Sequence, residues 1–158
     1  MGQKLADASK TPGKTQNLFF FRNEMLKAHI VDCPGYGYAE AADSQKEYLH
    51  RLVLLIDMSV GLMDSDKVLI DMLSNSHKPF MIVLTKADKV KEQDIPVRMQ
   101  EVADFMRKAG SICSPIVHIV CARYKYTLSE NFRDGYGLQE FMANLIYILQ
   151  MSILRKPT

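Results

Sequence analysis

The sequence predicts an α/β domain in which a mostly parallel sheet is flanked by helices. Three continuous apolar runs, 52–57, 80–85 and 115–120, have the pattern of strands buried on both faces. Amphipathic stretches at 66–75, 95–109 and 138–153 stand between and after them. Strand and helix in alternation imply right-handed crossovers and parallel pairing. In such sheets ligands bind at the carboxyl ends of the strands.

Taken in order, residues 1–16 are polar and rich in Gly, Ser, Thr and Lys, which suits a mobile loop. Two short apolar runs follow, 17–22 and 25–31, and the brief Asn23-Glu24 break between them predicts an antiparallel hairpin. The 66–75 helix is expected to turn Leu69, Met72 and Leu73 inward, and the 95–109 helix Met99, Val102, Ala103 and Met106. Pro96 is tolerated in the first turn of that second helix. The last helix presents Leu138, Phe141, Met142, Leu145 and Leu149, and Pro157 after Arg155 and Lys156 is a stop signal. Residues 123–136 form a polar and aromatic insertion, read either as a partner-binding loop or as a plain surface loop.

Composition narrows the function classes. The 158 residues are 47% hydrophobic and 24% charged, ordinary values for one globular domain. A net charge of +2 gives no bulk electrostatic signature of a nucleic-acid binder. No apolar run approaches the roughly 18 residues that a membrane span needs, and no secretory signal pattern opens the chain. Cys33, Cys113 and Cys121 form no CxxC pair and read as free thiols. The four histidines show no metal-ligand spacing.

The residues with chemistry follow strands. Thr85-Lys86-Ala87-Asp88 closes the 80–85 run. A carboxylate at Asp88 can accept both N–H groups on the Watson–Crick edge of guanine, while adenine lacks that paired donor face. The aliphatic stem of Lys86 can lie along a purine ring. Asp32-Cys33-Pro34-Gly35 follows another strand, with an Asp suited to hold Mg²⁺ through water and a Gly amide able to approach a terminal phosphate. Val120-Cys121-Ala122 follows the 115–120 run, and its backbone can meet the guanine carbonyl.

In that order these three segments resemble the third, fourth and fifth motifs of translation-factor-type GTPases. Ser9–Gln16, then Phe19–Phe21, then Asp32-Cys-Pro-Gly-Tyr-Gly-Tyr38, is similar to the YihA/EngB GTPases of ribosome assembly, over about residues 4–150. The resemblance implies a P-loop GTPase-like fold and GTP or GDP as ligand with Mg²⁺ and a possible K⁺. It makes Gly13, Lys14, Thr15, Gln16 and Asn17 switch I, with Thr15 on the metal, and puts Tyr36 where related enzymes carry a catalytic Gln. Slow intrinsic hydrolysis is the consequence. It further implies action on the large ribosomal subunit precursor, with ribosomal RNA and assembly factors as partners. The alternative is a non-hydrolysing, GTPase-like scaffold that binds RNA or assembly factors by its surface. The insertion and the divergent Cys33 and Cys121 lead to an expected mitochondrial location, with the cytoplasm as the alternative.

Gly13-Lys14-Thr15 is not the phosphate-binding loop. Ala8 stands where the first Gly of G-x-x-x-x-G-K-[ST] belongs, Pro12 interrupts the loop, and an apolar strand follows instead of a helix. The first strand, that loop and the first helix of the resembled fold are therefore missing from these residues, and weak triphosphate binding is expected. Because the missing strand is central, the 17–31 hairpin is expected to pair with 52–57, to dock elsewhere or to fray.

Overall fold

A computed structural model describes residues 19–23, 28–32, 51–75, 79–109, 116–121 and 135–154. The chain divides into two compact units, 1–48 and 49–158, and each is described by itself.

In the first unit, β1 (Phe19–Asn23) runs antiparallel to β2 (Ala28–Asp32), with Phe19 opposite Asp32 and Asn23 opposite Ala28. The expected hairpin is present, but Asn23 belongs to β1 rather than to the turn. It pairs with Ala28.

The second unit is built on a parallel sheet in the order β3 (Leu52–Asp57), β4 (Phe80–Thr85), β5 (His118–Ile119). The register sets Leu52 beside Phe80 and Asp57 beside Thr85, so two carboxyl ends finish level. The Val120 amide extends the pairing by donating to the Leu84 carbonyl at 2.8 Å. The middle strand, β4, buries Phe80 through Leu84 completely, as the parallel reading requires.

Alternation along the strands makes two faces. One carries Leu54, Ile56, Phe80, Ile82 and Leu84 and packs with Ile70 of α1 (Asp64–Asn75) and Val102 of α2 (Ile95–Ala109). On the other face His118, beside Val83 in register, meets Phe141 of α3 (Leu138–Leu154) edge to face at 5.5 Å. Among the described residues no helix is long and apolar enough to cross a membrane.

Four apolar positions depart from expectation, among them Ile116 of the 115–120 run, which is exposed. Leu55 on β3 is 59% exposed, so β3 is not buried on both faces as β4 is. Its burial alternates instead: Leu54 and Ile56 pack into the core, and Leu55 points to the opposite face. Met72 and Met99 are also exposed. The inward stripe of α1 is centred on Ile70, with Asp66 one turn earlier, and Met72 falls off its side. Asp66 is buried for a local reason: its carboxylate accepts from the Met63 amide at 2.9 Å, while its own amide donates to the Met63 carbonyl at 3.0 Å. This is the returning half of a capping box and fixes where α1 begins.

Candidate functional site

The carboxyl ends of β3, β4 and β5 converge on one group of residues. Thr85 ends β4 with its hydroxyl donating to the Ile56 carbonyl at 3.2 Å, and its own carbonyl accepts from the Met58 amide at 3.0 Å. Thr85 is thus tied to Ile56 of β3 and to Met58 just beyond it, and serves as a fixed point for the turn that follows. Lys86 then turns the chain, with φ 58° and ψ 37° in the left-handed region, the only non-glycine residue with positive φ among those described. That conformation costs a non-glycine residue about 1–2 kcal/mol. It directs the backbone into a short 3₁₀ turn, Ala87–Lys89, closed by bonds from the Lys89 amide to the Lys86 carbonyl and from the Val90 amide to the Ala87 carbonyl. Strained backbone of this sort concentrates at functional sites.

Ala87 is fully buried, and its amide donates to the Val120 carbonyl at 3.4 Å. This bond joins the Thr85–Asp88 segment to the Val120–Cys121 segment. Asp88 is half-buried beside that junction, and its carboxylate has no partner among the described residues. Cys121 is a buried free thiol. Its amide is already committed to the Tyr136 carbonyl at 3.1 Å, so the Cys121 N–H is not open to a ligand. A backbone donor from this loop has to come from a later residue, and Ala122 lies outside the described residues.

Asp32 stands exposed at the end of β2. Gly13, Lys14, Thr15, Gln16, Asn17, Cys33, Pro34, Gly35 and Tyr36 lie outside the described residues, as do residues 1–16 and most of the 123–136 insertion.

Two features escaped the sequence reading. Asp57, the last residue of β3, accepts from the Ser59 amide at 3.0 Å and the Ser59 hydroxyl at 2.6 Å, and pairs with the Lys86 ammonium. Burial pushes its pKa up, but the hydrogen bonds from Lys86 and Ser59 and the Lys86 charge outweigh that and hold it below the usual value. An Asp at the carboxyl end of an apolar run was the available signal. The second feature is the Gly135–Tyr136–Gly137 turn that holds Cys121. Gly137 has φ +73°, and a Cβ there would lie 1.9 Å from the Ile119 carbonyl oxygen. The two glycines flanking a tyrosine were visible as a turn signal.

Fold and site together define a guanine-nucleotide-binding class of α/β domain: the model of the elongation factor Tu GTP binding domain matches residues 8–151. Within that class the similarity is to proteins named probable GTP-binding protein EngB. The chain is 33% identical to that of Rhizobium etli, the alignment covering 86% of this chain and 68% of the relative. It is 32% identical to that of Gluconobacter oxydans, covering 89% and 63%, and 34% identical to that of Bradyrhizobium diazoefficiens, covering 92% and 69%. The chain belongs to the EngB family of GTP-binding proteins. It spans about two thirds of the length of these relatives.

Proposed function

We propose that the chain recognises the base of GTP and GDP at the carboxyl ends of β4 and β5. Asp88 accepts the guanine N1–H and 2-amino N–H, the stem of Lys86 lies along the ring, and the loop after Val120 supplies a backbone donor to the base carbonyl. The observation that carries this reading is the Ala87–Val120 hydrogen bond. It brings two loops together beside a half-buried carboxylate with no protein partner among the described residues. A carboxylate so placed is a poor match for adenine, whose exocyclic donor stands beside a ring acceptor.

Asp32 fits Mg²⁺ by the chemistry of its donor: a hard oxygen, exposed at a strand's carboxyl end, suits an ion that keeps water and phosphate as most of its ligands. Thr15 is the second residue assigned to it, and when bound the ion would neutralise phosphate charge. Gly13–Asn17 and Cys33–Gly35 are assigned to the phosphate side of the nucleotide, and K⁺ to assistance with hydrolysis. The biological role we infer is assembly of the large ribosomal subunit through ribosomal RNA and assembly factors, in the mitochondrion. The family membership supports the first part and the 123–136 insertion the second.

Competition binding against a fluorescent guanine nucleotide tests the reading. GDP is expected to displace it at far lower concentration than ADP, and equal displacement by the two would overturn base recognition at this site.

A further inference from the structure

The ion pair between Asp57 and Lys86 links the ends of β3 and β4, and neither residue needs it to fold its own strand. The sheet ladder already sets Asp57 beside Thr85. Thr85 is already bonded to Ile56 and Met58. What the pair adds is the direction of one side chain. Lys86 leaves the backbone in the left-handed conformation, and a four-carbon stem on an exposed turn would otherwise sample many rotamers. With its ammonium held by Asp57 Oδ2, the stem is drawn across the carboxyl ends of the two strands. Asp57 is itself oriented, because Ser59 occupies the other carboxylate oxygen, Oδ1, with both its amide and its hydroxyl.

We propose that Asp57 is a positioning residue for the nucleotide base: it stretches the Lys86 stem into a preformed apolar wall for one face of the purine. The inference rests on the reading of Lys86 and Asp88 as the base site. Its energetic logic is preorganisation, since ordering the side chain before the ligand arrives removes that cost from binding. The wall serves any purine equally, so Asp57 contributes to affinity, while Asp88 chooses the base. The carboxylate stays ionised through the neutral range, because Lys86 and Ser59 hold its pKa below the usual value despite the upward push of burial.

A double-mutant cycle on the full chain tests this, with GDP affinity as the readout and Asp57→Asn, Lys86→Met and the combination as variants. Lys86→Met keeps an unbranched apolar stem and removes the ammonium. Asp57→Asn alone is expected to weaken GDP by about two- to five-fold, the range for a partly exposed ion pair, and to cost nothing further in the Lys86→Met background. Equal losses in both backgrounds, or no loss in either, would overturn the positioning role while leaving base recognition standing. Failure of the wild-type chain to prefer GDP over ADP would remove the base site and this inference with it. Nitrogen-15 NMR of the unsubstituted protein gives a reading that depends on no variant. A held Lys86 ammonium shows slowed proton exchange relative to the exposed Lys91, and exchange as fast as that of Lys91 contradicts the proposal.

Discussion

Gly137 stands so close to Ile119 that the position excludes every side chain: a Cβ would sit 1.9 Å from the Ile119 carbonyl oxygen. The contact matters because the same turn holds Cys121 through the Tyr136 carbonyl, at 3.1 Å. The end of β5 and Cys121 just beyond it are therefore held by a turn before α3 as well as by the strand ladder.

Gly137→Ala combines a backbone clash with a φ of +73° that L-residues rarely adopt. It is expected to cost about 2–4 kcal/mol of stability, at the upper end of single substitutions. Chemical denaturation measures it, and a loss under about 0.5 kcal/mol, the size of a neutral surface change, would contradict the packing described.

Phe80 and Leu55 give a second contrast. Phe80 is fully buried in β4 and Leu55 is 59% exposed on β3. Phe80→Ala is expected to cost about 3–5 kcal/mol, while Leu55→Thr is expected to stay within about 1 kcal/mol, since threonine suits a strand and little burial is lost. Comparable losses at the two positions would show that β3 is covered on its outer face.

His118 makes stability depend on pH. Burial pushes its pKa below the ordinary 6.5, while the Glu140 carboxylate acts in the opposite direction and does not prevail. A folded state that resists protonation is penalised wherever the unfolded chain takes up the proton. Stability is therefore complete above pH 6.5 and falls as the pH drops below it. His118→Leu should flatten that part of the profile. Unfolding curves with the same pH slope in the variant would show that another group is responsible.

Much of this architecture was legible in the residues. The strands at 52–57 and 80–85 and the helix at 95–109 appear with the boundaries the apolar patterns predict. They do so because continuous apolar runs and a 3.6-residue stripe are local properties of the chain. Among the described residues of the 115–120 run only His118–Ile119 form a strand, because pairing depends on what lies alongside in space. Leu55 and Met72 were misplaced for the same reason: identity marks a residue as apolar, but only packing decides which apolar residue meets a neighbour. In the site, Thr85–Asp88 and Val120–Cys121 were both readable as segments that follow strands. Asp57 was not, since its role exists only once β3 and β4 end level and Lys86 reaches across 29 positions of sequence.

The central claim is that Asp88 reads the base, and a swap of one atom pair on each side tests it most directly. Asp88→Asn replaces an acceptor by an amide that can donate, and xanthine replaces the guanine 2-amino donor by an acceptor. Binding of GDP and XDP to the wild type and to Asp88→Asn should show a reversal of preference. The wild type is expected to favour GDP and the variant XDP, each by on the order of 100-fold, short of the roughly 10⁴-fold that the best hydrogen-bonding sites reach, because Asp88 is only half-buried. A variant that keeps the wild-type preference for GDP over XDP would contradict the assignment of Asp88 and the site built around it.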